Sequence, residues 1–565
     1  MREDGAAGFI LARVRARPLT VLFVVIFLAW LPGFFTIPPL DRDESRFAQA
    51  SKQMLETGDF VSIRLGEQER DQKPIGIYWL QAASTAVFDV FLPEGDKGRE
   101  IWTYRMVSFL GAFAALVLTF RMVRSFADVE TAFFAALLLG LTGLLMSEAE
   151  IAKTDAVLLA TIVGSQSVIL RTYLGTRRDA AVPSPSFGKI LLGWACFAIG
   201  ILVKGPVIVL VCTASVAAIS VWDRDWRWLK TLRPLPGILL ALVLVLPWAI
   251  AIGIETHGAF YEKSLGQDFA MKLAGGQETH GAPPGYFTLL APLTFWPASL
   301  VLLPGIVYGI RHWREPVVRY LLCWVATTWL MFELAPTKLP HYVLPAYPAL
   351  GILAALWLTS ARKSSEPSAE RIALAVSCAL FALVGLALAG LLLWAPMRFG
   401  PGPAPWLYVA AAAGVACVLG ATALMLRGSR IGAAGVAALS AMILYAIAGY
   451  GTLPALDAFK LSPHLAQAVA RHRLDNDPPI VLAGYSEPSA MFLLGTKTRL
   501  MNGADAGAAV ANGGLAAVEQ SEQESFLKVV KEKSTSATAL EEIDGTNYSN
   551  GRKLRLILYR VARGH

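Results

Sequence analysis

Cysteines and charged residues are both scarce in this chain of 565 residues. Each of the five cysteines lies inside an apolar run, without the spacing of a metal site, so the pattern favours neither a disulfide framework nor cysteine chemistry. Charged residues make up 16% of the chain, against 55% hydrophobic residues. Soluble domains usually carry about 25% charged residues. The composition therefore indicates a polytopic membrane protein.

Apolar runs of roughly 20 residues, long enough to cross a bilayer as a helix, recur through most of the chain. A run is divided at Lys204-Gly205-Pro206, because a single span there would reverse the charge pattern of the later loops. The resulting prediction is thirteen spans in an all-α membrane domain: 18–38, 100–122, 128–147, 152–174, 187–203, 205–222, 235–254, 287–310, 317–335, 340–359, 371–395, 404–427 and 431–452.

Alternate loops between these spans are rich in arginine and lysine. The net charge of +8 reflects this positive-inside pattern and implies no nucleic-acid partner. Arg13, Arg15 and Arg17 precede the first span, so we expect an uncleaved span with a cytoplasmic amino terminus. We predict a transmembrane domain over 1–453, followed by an external, soluble α/β domain over 454–565.

The periodicity of the last 110 or so residues is typical of a small α/β fold. Strands are predicted near 480–483 and 554–559, and a helix over 461–471. The segment 502–517, rich in glycine and alanine, is predicted to be a loop or a weak helix.

The longest external loop, 39–99, carries residues capable of chemistry. Its pattern predicts a short amphipathic helix on the membrane surface, capped by Asp41, with Asp43 and Glu44 in the first turn. Such carboxylates can accept a proton or orient a cation, and they can also merely cap the helix. Lys73 precedes an aromatic stretch at headgroup depth, where a lysine can bind a lipid phosphate.

These residues, with others later in the chain, resemble the GT-C fold glycosyltransferases. The resemblance is to the family 39-like group that contains the bacterial lipid A aminoarabinose transferases and the protein O-mannosyltransferases, and it covers most of 15–360. The matching residues, in chain order, are Asp43-Glu44-Ser45-Arg46-Phe47-Ala48, Gly58-Asp59, Lys73-Pro74 with Tyr78-Trp79-Leu80, Arg105, Asp155, Lys204-Gly205-Pro206, Pro247-Trp248 and Lys338-Leu339-Pro340-His341-Tyr342.

The resemblance implies an inverting transferase at the periplasmic face of the bacterial inner membrane. It would move a sugar from a polyprenyl-phosphate donor to lipid A or a related envelope glycolipid. A hexose or uronic acid, and another glycan or a secreted protein as acceptor, stay open as well. Asp43 is the expected base and Asp155 the second catalytic carboxylate. The expected substrate-binding residues are Glu44, Arg46, Lys73, Lys204, Lys272, Lys338, His341 and Tyr342.

Two departures from the family pattern concern a metal ion and the donor. Gln72 stands where the lipid A transferases usually have an acidic residue, and Lys272 offers a cation where they usually have an arginine. Glu278 and His280 are candidate ligands for a divalent metal ion, with polar surface as the alternative.

A transporter and a non-catalytic scaffold or sensor compete with the enzyme hypothesis. A transporter usually has two similar halves and charges near mid-membrane, whereas here the charges lie at the ends of spans. Lys204 can also simply cap a helical hairpin, and Asp155 can form a structural ion pair with Lys153 or Lys204.

Overall fold

A computed structural model describes residues 5–40, 42–70, 72–177, 182–264, 266, 281–361 and 368–562. Most of the described residues are helical. The α-helices are Gly5–Ala16, Pro18–Trp30, Asp43–Thr57, Gly76–Asp89, Ile101–Val123, Val129–Leu141, Gly143–Ala149, Asp155–Gly175, Phe187–Lys204, Pro206–Asp223, Pro234–Glu255, Ala259–Tyr261, Tyr286–Thr294, Ser299–Arg311, Pro316–Leu334, Tyr347–Thr359, Ser368–Phe399, Pro405–Leu426, Arg430–Ala446, Leu461–His472, Pro488–Leu494, Gly503–Ala509 and Gln523–Glu532.

Ten helical segments in the described part of the chain are long and apolar enough to span a membrane. The number is eleven if Val129–Leu141 and Gly143–Ala149, bent by 68° at Thr142, form one broken span. Two shorter apolar helices, Pro18–Trp30 and Ser299–Arg311, lie within the first and eighth predicted spans. The chain is thus a multi-pass membrane protein, and the count of thirteen stays a prediction.

The division at Lys204-Gly205-Pro206 is confirmed. One helix ends at Lys204 and the next begins at Pro206. Proline is favoured at the first position of a helix, where its missing N–H is not needed. Gly205 adopts a φ of 62°, which is accessible to glycine without the clash that a Cβ would cause. This turn brings Lys204 to the same end of the bundle as the first loop.

The helix Asp43–Thr57, called the loop helix below, is more buried than its sequence suggested. We expected one face on a membrane surface, but Glu44 and most residues through Met54 are buried. The C-terminal part of the chain covers the face of the loop helix that carries Gln49 and Lys52. Gln49 Nε2 donates to Thr496 Oγ1 at 2.7 Å, and Lys52 Nζ donates to the Phe492 carbonyl at 3.2 Å. The helix therefore lies between the membrane helices and the C-terminal segment.

The expected cap of the loop helix is also corrected. The helix begins at Asp43, and Arg42 precedes it at a φ of 64°, without a side-chain cap. Asp41 lies outside the described residues.

The C-terminal segment has the predicted α/β character, although the domain boundary itself stays a prediction. Two short strands in the first loop, β1 (Arg64–Leu65) and β2 (Gln68–Glu69), pair with each other. The other five form a mixed sheet in the order β4-β3-β5-β7-β6, with β3 parallel to β4 and β5 and with β7 antiparallel to β5 and β6. The strands are β3 Val481–Ala483, β4 Arg499–Met501, β5 Gly514–Glu519, β6 Ser536–Thr546 and β7 Lys553–Ala562.

The expectation for 502–517 was partly wrong. Its first half is the helix Gly503–Ala509, but its second half begins the central strand β5. Glycine and alanine are poor strand formers, so local propensity hides this strand. Every residue of β5 is buried, and the small side chains fit between the helices on the two sides of the sheet.

Candidate active site

Two adjoining cavities lie where the first loop meets the ends of the membrane helices. One, the apolar groove, has a volume of about 380 Å³ and is lined mainly by apolar side chains such as Leu202, Val245 and Trp248. The other, the polar cavity, has a volume of about 750 Å³. Residues common to both are Gln72, Lys73, Asp155, Lys204, His341 and Tyr342. Five of these six are residues that the sequence motifs single out, and the fold brings them to one junction.

A buried ionic cluster surrounds Asp155 at this junction. Lys204 Nζ lies 2.5 Å from Asp155 Oδ1, and Lys153 Nζ lies 3.9 Å from Oδ2. Lys153 also contacts Glu148 Oε1 at 3.3 Å. The His341 ring lies between the two carboxylates, with Nδ1 3.8 Å from Glu148 Oε1 and Nε2 4.0 Å from Asp155 Oδ1. Two lysines thus balance two carboxylates, and the cluster fixes the position of each member.

Tyr342 completes the junction. Its ring centroid lies 6.0 Å from Lys204 Nζ, within the range of a cation–π contact, and 5.1 Å from the His341 ring in an edge-on arrangement. Lys73 lines both cavities from the first loop. Lys73 and Lys204 therefore lie where the apolar groove meets the polar cavity.

Asp43 and Glu44, in the first turn of the loop helix, both line the polar cavity, but their carboxylates differ in exposure. Asp43 lines the cavity with its side chain 50% exposed, and Arg46 Nη1 lies 4.0 Å from its Oδ1. Burial lowers the pKa of Arg46, and the positive charge of Arg70 lowers it further.

Glu44 is turned inward and is engaged by protein donors. Arg105 donates to both carboxylate oxygens, at 2.7 Å from Nε and 2.8 Å from Nη2. The backbone N–H groups of Leu40 and Ala152 donate to the same carboxylate at 2.8 and 3.0 Å. Glu44 and Arg105 are each 1% exposed, so this pair ties the loop helix to the second span.

Lys338 is also held by the protein, since its buried Nζ donates to the Ala335 carbonyl at 2.7 Å. It is not among the residues that line the groove or the polar cavity. Lys272, Glu278 and His280 lie outside the described residues, so their roles stay predictions. Among the residues that are described, no group of three or more His, Cys, Asp or Glu side chains is placed to hold a metal ion.

Several residues of the polar cavity were not expected from the sequence. Arg70 comes three residues before Lys73 in the same loop, and a basic residue so close to a candidate phosphate ligand was an available signal. The turn between β6 and β7 forms another wall through Tyr548, Ser549 and Asn550, and Arg42 donates to the Ser549 carbonyl. Asn550-Gly551 is typical of a turn, but the local sequence does not indicate a role in the cavity, because that role depends on how the C-terminal segment docks.

The chain is similar to known proteins both in sequence and in fold. Residues 72–250 match the family described as dolichyl-phosphate-mannose-protein mannosyltransferase. The undecaprenyl phosphate-alpha-4-amino-4-deoxy-L-arabinose arabinosyl transferase of Pseudomonas paraeruginosa is 28% identical over 368 residues, covering 63% of each chain. The enzyme of the same description from Serratia proteamaculans is 29% identical and covers 60% of this chain. The alignments thus span 63% and 58% of these two relatives' own lengths.

A solved structure shares the fold over nearly the whole chain. The crystal structure of ArnT from Cupriavidus metallidurans bound to undecaprenyl phosphate superposes with a TM-score of 0.75 at 18% identity, and 98% of both chains is covered. Its apo form gives 0.74. The expected fold is thereby confirmed: the chain shares the GT-C fold of ArnT, and its sequence relatives have the description that the motifs suggested.

Proposed function

We propose that this protein transfers a sugar from a polyprenyl-phosphate carrier to lipid A or a related envelope glycolipid. The observation that supports this most directly is the junction of the apolar groove and the polar cavity at Lys73, Asp155 and Lys204. A prenyl chain is apolar and its phosphate is anionic, so a donor of this class fits the groove with its phosphate at the lysines. The names of the relatives, which specify an undecaprenyl phosphate-linked sugar, agree with this donor.

In the proposed reaction the acceptor oxygen attacks the anomeric carbon while the bond to the carrier phosphate breaks. Polyprenyl phosphate is the leaving group, and Lys73 and Lys204 stabilise its growing negative charge. Asp43 takes the proton from an acceptor hydroxyl, or orients the acceptor if its nucleophile is already ionised. Attack from the side opposite the phosphate inverts the anomeric centre. Asp155 acts by holding Lys204, at 2.5 Å.

Four other residues have supporting roles in this proposal, and those of Glu44 and Lys338 are revised. Glu44 positions the loop helix through Arg105, because its oxygens already accept bonds from the protein. Lys338 positions the polypeptide before Pro340 through the Ala335 carbonyl. His341 and Tyr342 line the junction, where they order the lysines around the phosphate.

The proposed placement in the cell follows from the charge pattern of the loops. Thirteen spans put the site, and a domain formed by 454–565, on the periplasmic side of a bacterial inner membrane. Another sugar, or an acceptor that is a secreted protein, is the second candidate. The match of residues 72–250 to a family of protein mannosyltransferases favours a protein acceptor over a further glycan within this second candidate.

The test is mass spectrometry of lipid A from a deletion strain complemented with the wild-type gene, Asp43→Asn or Asp96→Asn. Asp96 is exposed in the same loop and lines neither cavity, so its variant is the matched control. We expect a sugar-sized mass increase with wild type and Asp96→Asn, and at least a roughly 100-fold loss of transfer with Asp43→Asn. Lipid A of identical mass in the deletion and complemented strains rejects this acceptor.

A further inference from the structure

A third cavity, called the distal cavity below, lies between the membrane helices at a distance from the candidate site. Its volume of about 400 Å³ is within the size range of small-ligand pockets. Helix Asp155–Gly175 begins at the candidate site and helix Phe187–Lys204 ends there, but they line the distal cavity through Ile169 and Ile190, in their opposite halves. Each of these two isoleucines lies about 21 Å along its helix from the site, at about 1.5 Å per residue. The distal cavity is therefore separate from the groove that we assign to the donor.

The lining of the distal cavity is almost entirely apolar, and includes Val168, Phe197, Val216, Leu229 and Leu232. The hydroxyl groups of Ser165 and Thr213, which also line it, donate to carbonyls of their own helices. Trp226 lines the cavity and is 51% exposed, so the cavity reaches the outside of the helix bundle. Such a lining offers water no polar partners, whereas it suits a hydrocarbon chain.

Three exposed basic residues lie at the edge of the distal cavity. Lys189, Lys230 and Arg233 are each the sequence neighbour of a residue that lines it, and all three are exposed. The Trp194 indole donates to the Leu232 carbonyl at 2.9 Å, which holds the segment with Lys230 and Arg233 against the helix that carries Lys189. The positive charges thus adjoin an apolar cavity from two elements of the fold.

None of these three basic residues forms an ion pair with another residue that the structure describes. The carboxylates just before Lys230 are engaged elsewhere: Asp223 pairs with Arg177 and Arg319, and Asp225 pairs with Arg227 at 3.2 Å. Basic residues beside an apolar site between membrane helices complement a ligand that has both a hydrocarbon chain and an anionic head group.

We propose that the distal cavity binds an acyl chain of an anionic phospholipid, whose phosphate contacts Lys189, Lys230 and Arg233. This inference takes its leaflet, the cytoplasmic one, from the orientation given under the proposed function, but it does not depend on sugar transfer. Because the distal cavity and the proposed carrier-phosphate position lie at opposite halves of the same helices, the phospholipid and the donor can bind together.

Native mass spectrometry of the full-length protein in detergent tests this site. The protein is titrated with dioleoyl phosphatidylglycerol or dioleoyl phosphatidylcholine, which have the same acyl chains and differ in net charge. We expect the first phosphatidylglycerol to bind at least about 10-fold more tightly, because each basic residue close to an anionic lipid contributes about a factor of five. Saturating undecaprenyl phosphate should not displace it.

A double variant tests the charged edge. Lys230→Gln with Arg233→Gln should weaken the binding of phosphatidylglycerol roughly 10- to 30-fold and leave the affinity for phosphatidylcholine unchanged. The matched control is Arg121→Gln with Arg427→Gln, two exposed arginines of other basic loops that do not line the distal cavity. This control should change neither affinity.

A second variant tests the apolar part of the site. Ala217 lines the distal cavity, so the larger side chain of Ala217→Trp should occupy it and weaken the binding of phosphatidylglycerol at least about 10-fold. Unchanged affinity for undecaprenyl phosphate shows that this variant is folded. Leu239→Trp, at a 54% exposed position outside the cavity, is the matched control and should retain both affinities.

Four results would overturn the phospholipid site. They are equal affinity of the wild-type protein for the two phospholipids, an equal loss of phosphatidylglycerol in the double variant and its control, unchanged binding in Ala217→Trp, and displacement of phosphatidylglycerol by undecaprenyl phosphate. The last result would assign the distal cavity to a prenyl chain. Absence of sugar transfer in an activity assay would instead refute the proposed function and would leave the phospholipid affinities unaffected.

Discussion

Among the ionic contacts of the first loop, the buried pair of Glu44 and Arg105 should contribute most to the stability of the protein. Besides Glu44, Arg105 Nη1 donates to the carbonyls of Phe34 and Ile37 at 3.1 and 2.8 Å, and Nη2 donates to the Pro38 carbonyl at 3.1 Å. The Arg105 side chain, on the helix Ile101–Val123, therefore contacts both the loop helix and the segment that follows the helix Pro18–Trp30. Removing the Glu44 charge leaves the buried guanidinium without the carboxylate that accepts two of its hydrogen bonds.

We expect Glu44→Gln and Arg105→Met each to lower the free energy of unfolding by about 3–5 kcal/mol, the usual cost of breaking a buried ion pair. The double variant removes both charges, so its loss should be smaller than the sum of the single losses by about 2–3 kcal/mol. Unfolding of the full-length protein in mixed micelles, followed by tryptophan fluorescence, measures both quantities.

The matched control is the surface ion pair of Lys97 and Glu94 in the same loop. Its Nζ–Oε1 distance is 2.5 Å, but Glu94 is 88% exposed. Because water screens such a pair, Glu94→Gln should change the stability by less than about 1 kcal/mol. A loss of less than about 1 kcal/mol in Glu44→Gln, or single losses that simply add in the double variant, would refute the argument that burial gives the pair its importance.

Two further predictions concern packing and the junction. Gly237→Ala should destabilise the protein by about 1–3 kcal/mol in the same unfolding assay, because the added Cβ would lie 2.2 Å from the Trp194 ring. Gly188→Ala, where a Cβ meets nothing within 4 Å, should be neutral or slightly stabilising, and equal effects of the two changes would contradict the packing argument. Lys204→Met should weaken the binding of undecaprenyl phosphate roughly 10- to 100-fold, which is the effect of losing a charged hydrogen bond. Lys153 would remain as the lysine near Asp155. Unchanged affinity for undecaprenyl phosphate in a direct binding measurement would show that Lys204 does not bind the phosphate.

The sequence was most informative where one local property decides the structure. A long apolar run has few stable alternatives to a helix in lipid, so most helices from Ile101–Val123 onward match the predicted spans. The exceptions include 128–147 and 287–310, each of which is divided into two helices. The turn at Gly205 was predictable because the charges of the later loops require a division there, and the positive φ of Gly205 agrees with it. Strands β3 and β7 were predictable because their residues are strongly apolar.

Predictions failed where burial comes from distant residues. Strand β5 is alanine-rich and is a strand because β3 and β7 pair with it on both sides. The loop helix has a polar face that reads as solvent-exposed, yet the C-terminal segment covers it. In each case the deciding contacts join residues that are far apart in the chain, and local propensity carries no information about them.

The sequence by itself thus determined the class of protein, most of its helices and several residues of the candidate site, because hydrophobic length and motif order are local properties. Only the tertiary structure decided which contacts each of those residues makes. It turned Glu44 toward Arg105 and Asp43 toward the cavity, although the two are neighbours in the first turn of one helix. It also joined Arg70 to a wall formed partly by the turn after β6. Side-chain direction and charge compensation depend on the packing of several elements at once, which only the folded chain specifies.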